Sequence, residues 1–138
     1  MLCRLNGRYL APLSLAVIVV ATSAPAERIH AAQASLAGSW SGGGWVSFSS
    51  GNRERARCHA HYSRQSETSY ALSATCATPS GKASQSATLH KVGTNNYSGG
   101  FHNDQYNVSG TIYVVVHGNS QTVRLSGSGA LASLSLSR

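Results

Sequence analysis

Residues 53–77 read RERARCHAHYSRQSETSYALSATCA. Two runs of alternating character flank the polar stretch Ser66-Glu67-Thr68. In the first run Ala56, Cys58, Ala60 and Tyr62 take one set of alternate positions, and Arg53, Arg55, Arg57, His59 and His61 take the other. In the second run Tyr70, Leu72, Ala74 and Cys76 alternate with small or polar residues. Alternation at period two marks β-strands with one buried face. Antiparallel pairing that sets Cys58 opposite Cys76 also sets Ala60 opposite Ala74 and Tyr62 opposite Leu72. Each pair joins like with like, so a hairpin turning at residues 66–68 is self-consistent in register.

The same pattern extends both ways. A first strand is expected over about Ser39–Ser49, with Trp40, Val46 and Phe48 on one face, and Gly51-Asn52 turns it into Arg53–Ser63. After Ser69–Ala77, Thr78-Pro79-Ser80-Gly81 has the composition of a type I turn. Strands follow at about Lys82–Val92, Tyr97–His102, Gln105–His117, Gln121–Gly127 and Ala130–Ser137. No window after the N-terminal segment shows a helical period, and the connections are too short for crossover helices. The fold class is therefore all-β. Eight sequential antiparallel strands most economically close into a small up-and-down β-barrel, which removes exposed edges. A β-sandwich is the alternative. Gly42-Gly43-Gly44 is expected to bend or bulge the first strand.

The N-terminus reads as an address. Arg4 and Arg8 precede the uncharged apolar run Leu10–Ala21, and Ala24-Pro25-Ala26 supplies a small-residue cleavage site. This is the layout of a signal peptide, with a signal helix that is removed near Ala26. Ala32-Gln33-Ala34 is an alternative site. The expected organisation is signal peptide 1–26, flexible segment 27–37 and one barrel domain 38–138, periplasmic or secreted from a bacterium. No later apolar stretch is long enough to span a bilayer as a helix. With Cys3 removed, Cys58 and Cys76 remain. An even count in an exported chain reads as a disulfide.

The chain has 138 residues, 11 Lys+Arg and 4 Asp+Glu, a formal net charge of +7. Charged residues make up only 11%, which leaves Ser and Gly to fill the polar positions. That length excludes the large barrel enzymes, which run to about 250 residues. The positive charge is not spread. Arg53, Arg55, Arg57 and Arg64 fall on or beside one strand, which weakens the case for nucleic acid. Alternate strand residues project to one side, so Arg53, Arg55, Arg57, His59 and His61 form a candidate ladder for an anionic ligand. Lipopolysaccharide or an anionic polysaccharide would suit it. Glu54 would project to the other side.

His59-x-His61 has the spacing of two metal ligands on one strand, with His90, His102, Asp104 or His117 as conceivable completions. The flanking arginines oppose a cation, so neither metal nor cofactor is expected. Four acids and no G-x-S-x-G elbow leave little for catalysis, and no enzyme activity is expected. The aromatic residues could floor a pocket, though most should be core.

Gly38-Ser39-Trp40 resembles the G-x-W start of lipocalin and avidin barrels. Two tryptophans in all, Trp40 and Trp45, argue against the biotin site of avidins. The longer pattern of G-x-W-x-G-G-G, Gly51, Glu54–Tyr62 and Cys76 resembles a group of small exported proteins of alphaproteobacteria. That resemblance implies location and fold, and no activity. The loop signatures of periplasmic lysozyme inhibitors, also small disulfide-bearing barrels, are not found. The expected function is an exported, non-catalytic β-barrel binding module for an anionic or a small apolar envelope ligand. The alternatives are a structural or interaction protein of the envelope, including an inhibitor-like role, and a metal-dependent enzyme.

Overall fold

In the computed structural model, which describes residues 35–138, the alternating runs form eight strands. These are β1 (Gly38–Phe48), β2 (Arg53–Arg64), β3 (Ser69–Thr78), β4 (Gly81–Lys91), β5 (Asn96–Asn103), β6 (Val108–His117), β7 (Ser120–Gly127) and β8 (Ala130–Ser137). Each pairs antiparallel with its sequence neighbour, and β8 pairs with β1 to close the barrel. No strand edge is left unpaired along the circuit, so the aggregation hazard of an open sheet is removed. The signal peptide and its helix, both cleavage sites and residues 27–34 lie outside the described residues.

The β2–β3 register is the expected one: Cys58 opposes Cys76, Ala60 opposes Ala74 and Tyr62 opposes Leu72. Cys58 and Cys76 are disulfide-bonded, with 4.1 Å between their Cα atoms. That separation belongs to the close, directly opposed type of antiparallel pair. Both cysteines point into the barrel.

Three expectations are corrected. Of the segment expected to be flexible, residues 35–37 are described, and Leu36 is fully buried, so the packed chain starts before Gly38. The glycine run makes no bulge, because β1 keeps continuous register with both β2 and β8. Its role is close approach: a Cβ on Gly42 or Gly44 would overlap the carbonyl oxygen of Ser135 or Ser133 on β8. The sixth strand begins at Val108 rather than Gln105. Asn103 Oδ1 accepts the Tyr106 N–H at 3.1 Å, and Asn107 takes φ 49°, which turns the chain before pairing resumes.

Inward side chains change size along the barrel axis. At the end carrying the β2–β3, β4–β5 and β6–β7 turns they are large and buried: Trp40, Tyr62, Tyr70, Leu89, Tyr97 and Val116. At the opposite end the inward positions of β2, β4 and β8 include Ala56, Ala83, Ala130 and Ala132, together with Glu54 and Gln85. One end is therefore plugged and the other is hollow.

Candidate functional site: an open-ended cavity

The plugged end is held by polar contacts that need no water. Trp40 Nε1 donates to the Leu36 carbonyl at 2.9 Å, and the Arg138 guanidinium lies 4.3 Å from the centre of the Trp40 ring. Arg138 also donates to the Ala37 carbonyl at 3.1 Å. Both ends of the described chain are thus tied to the same floor. Tyr62 donates its hydroxyl to Gln121 Oε1 at 3.0 Å, inside the core. Burial pushes the Tyr62 phenol well above its ordinary range, so it stays protonated and remains a donor. Tyr70 and Tyr97 meet edge to face at 5.4 Å.

Above this floor the small residues leave a cavity of about 590 Å³. Val46, Ala56, Ala83, Leu125, Ala132 and Leu134 supply apolar wall, the disulfide sits in the wall of β2 and β3, and Phe101 enters from β5. The turns at Ser49–Asn52, Pro79–Ser80, Asp104–Asn107 and Ser128–Gly129 surround the mouth. Pockets for small ligands typically enclose roughly 300–1,000 Å³ and are mostly apolar with a few polar groups. This cavity has both properties.

Glu54 lies at the mouth on the inner face of β2. One carboxylate oxygen, Oε1, accepts a short hydrogen bond from the Ser80 hydroxyl. The other, Oε2, is out of contact with solvent. Hydrogen bonds from Ser80 and Thr78 hold the carboxyl below the ordinary glutamate range. It is therefore ionised at neutral pH, and no basic side chain lines the cavity with it. Sequence reasoning placed Glu54 on the inner face but gave it no role. The available signal was a lone charge within an otherwise apolar alternation, Glu54-Ala56-Cys58-Ala60-Tyr62.

The basic ladder lies on the outside of the same strand. Arg53, Arg55, Arg57, His59 and His61 are all exposed, and none of them reaches the cavity. Arg55 stands directly opposite Trp45 of β1 and Arg53 diagonally from it. Their guanidiniums lie 5.3 and 4.5 Å from the centre of the Trp45 ring. Such stacking orders the arginines while leaving their N–H groups free for anions. Among the described residues the one contact between a basic and an acidic side chain is His102 Nε2 to Asp104 Oδ1, at 2.9 Å, so these arginines meet no carboxylate.

The conceivable metal ligands do not converge. His61 Nδ1 is 3.1 Å from Ser39 Oγ, and His102 is occupied by Asp104 and Ser109. Among the described residues no three His, Cys, Asp or Glu side chains are grouped to hold a metal ion. The aromatics divide: Trp40, Tyr62, Tyr70 and Tyr97 belong to the plug, Phe101 to the cavity wall and Tyr106 to its rim, whereas Trp45 and Tyr113 face solvent.

No family model matches the chain, and no curated protein does. Solved structures do. A redesigned β-barrel, mFAP1, bound to DFHBI superposes with a TM-score of 0.64 at 13% identity, over 75% of this chain and 94% of that one. A further barrel of that series, EF1p2_mFAP2b bound to DFHBI, gives 0.64 at 11% identity over 75% and 93%. A de novo designed fluorescence-activating β-barrel gives 0.58 at 15% identity over 74% and 92%. At these identities the likeness is one of fold.

Proposed function

We propose that this protein is an exported, non-catalytic β-barrel that binds a small apolar molecule in its open-ended cavity. The observation that carries the reading is the division of the barrel interior. A filled core would use large side chains throughout, yet at one end Ala56, Ala83, Ala130 and Ala132 face inward and a space of about 590 Å³ remains. Packed interiors rarely leave a void larger than a water molecule, since each lost contact weakens the core. A barrel that keeps such a space gives up stability there, and a ligand would restore it. The resemblance to barrels solved with DFHBI supports this geometry as one able to hold a small molecule. The Cys58–Cys76 bond and the N-terminal apolar run support export to an oxidising compartment.

The test is binding of a neutral environment-sensitive dye, N-phenyl-naphthylamine. Its fluorescence should rise and shift to the blue with the wild-type protein. Ala132→Phe, which fills the cavity from β8, should abolish the response while circular dichroism remains that of the folded barrel. An undiminished response in that variant would refute the reading.

The outer arginines favour a second, separate reading as an anionic surface, because Arg53 and Arg55 are ordered on Trp45 and no acid neutralises them. Replacing Arg53, Arg55 and Arg57 by Ser should reduce retention on lipopolysaccharide or heparin resin and flatten its salt dependence. Equal retention would leave the stripe a solubilising face.

A further inference from the structure

We propose that the outer wall of the barrel carries a second binding site, a groove across β6, β7, β8 and β1 that holds an acidic glycan, its carboxylates paired with Arg53 and Arg124. This rests on the anionic-surface reading above and deepens it by locating the site and naming the ligand class.

Strand register builds the groove. On the outer face Trp45 of β1 stands opposite Ser133 of β8, Ser133 opposite Arg124 of β7, and Arg124 opposite Tyr113 of β6. One step nearer the mouth the outward row is Ser47, Leu131, Ser126 and Thr111. Trp45 and Tyr113 are three strand spacings apart, about 14 Å. The small Ser133 and Ser126 lie between these flanks, and the depression has a volume of about 440 Å³.

Its charge is of one sign. Arg53, next to Ser47, enters the lining from the β2 side, and Arg124 enters it from β7. No carboxylate lines the groove. Among the described residues the acids lie elsewhere: Glu54 faces the cavity, Glu67 is in the β2–β3 turn, and Asp104 meets His102. Two guanidiniums on opposite sides of one groove favour an anion, and their planar fork matches a carboxylate.

The floor selects the rest of the ligand. The hydroxyls of Ser47, Thr111, Ser126 and Ser133 each donate and accept hydrogen bonds. A lipid tail or an apolar protein face would take them from water without return, at a cost. Sugar hydroxyls return those bonds, and exposed Tyr113 offers a ring face with a polar tip. Single-stranded nucleic acid needs successive aromatic platforms for its bases. Here the guanidiniums of Arg53 and Arg55 already lie over the Trp45 ring, which leaves Tyr113 as the remaining aromatic of the groove.

The experiment titrates tetragalacturonate, maltotetraose and oligothymidylate calorimetrically into the wild-type protein. Tetragalacturonate is also titrated into Arg124→Ser, Arg57→Ser and the triple replacement of Arg53, Arg55 and Arg57 by Ser. In the wild type tetragalacturonate should bind at least about tenfold more tightly than maltotetraose, and more tightly than oligothymidylate. Arg124→Ser should weaken it about tenfold. Arg57 is outside the groove, about 13 Å along β2 from Arg53, so Arg57→Ser should change it by less than about twofold in physiological salt. The order of the three ligands needs no variant, so the inference stands or falls even if a variant folds poorly. Undiminished binding in Arg124→Ser, with loss in the triple variant, would overturn the groove and leave the anionic-surface reading intact. Maltotetraose or oligothymidylate binding as tightly as tetragalacturonate would overturn the ligand class. Failure of tetragalacturonate to bind would overturn the inference, and absence of retention on heparin resin as well would remove the anionic-surface reading with it.

Discussion

The Tyr62 hydroxyl and the Glu54 carboxylate are both inward polar groups on β2, and their surroundings set them to different uses. Tyr62 is buried in the plug against Gln121. Tyr62→Phe leaves Gln121 without that partner and should cost about 1–3 kcal/mol in chemical denaturation. Adding Gln121→Leu should recover part of the loss, because an apolar pair leaves no orphaned amide. A double variant less stable than Tyr62→Phe alone would contradict this. Glu54 is different because it titrates. Its folded-state pKa lies below the ordinary range, held there by Ser80 and Thr78. The stability it adds is therefore complete above the unfolded glutamate value and is lost as pH falls through the lowered one. The stability difference between wild type and Glu54→Gln should be flat near neutrality and should shift against the wild type in acid. A difference that moves the opposite way in acid would show that Glu54 is not favoured in its ionised form.

The strands explain how much of this could be read in advance. In β2 and β3, apolar alternation, a disulfide pair and a three-residue turn all demand the same register, and the pairing found is the one demanded. Where one cue stands alone the reading slips. Gln105-Tyr106-Asn107 alternates like strand, yet Asn103 and Asn107 use local turn chemistry that period-two patterning does not register. The glycines of β1 suggest a bulge from sequence, but their purpose depends on the backbone of β8, more than eighty residues away. Gly44→Ala should accordingly destabilise the barrel by about 1–3 kcal/mol, through overlap with Ser133. An unaltered thermal midpoint would show that β8 can move aside. The disulfide closes a separation of 18 residues. Replacing both cysteines by Ala should cost about 3 kcal/mol in the chain-entropy account, and it should leave the strand register unchanged.

At the scale of the whole molecule the decisive feature is a gradient of inward side-chain size along the barrel axis. Its parts were legible: β2 runs Glu54, Ala56, Cys58, Ala60, Tyr62, and β8 runs Ala130, Ala132, Leu134, Leu136. From Ala56 to Tyr62 and from Ala130 to Leu136 both go from small to large, as their shared orientation requires, whereas β3, which runs the other way, goes from Tyr70 and Leu72 to Cys76. Neighbouring strands must reverse the trend if one end is to be filled and the other hollow. Alternation of faces identifies which residues point inward, but it does not by itself compare their sizes across strands. The outer charge was easier to find than the inner one for the same reason: five basic residues repeat, and Glu54 occurs once.

If the hollow end receives a small apolar ligand, resonance mapping will locate it there. Methylnaphthalene titrated into isotope-labelled protein should shift the amides of Ala56, Ala83, Leu125 and Ala132 and of the turns at Ser49–Asn52 and Ser128–Gly129. The amides around Tyr62, Leu89 and Val116 in the plug should stay in place. Saturable shifts confined to the hollow end are the predicted result, and shifts confined to the outer face, or none at all, would contradict it.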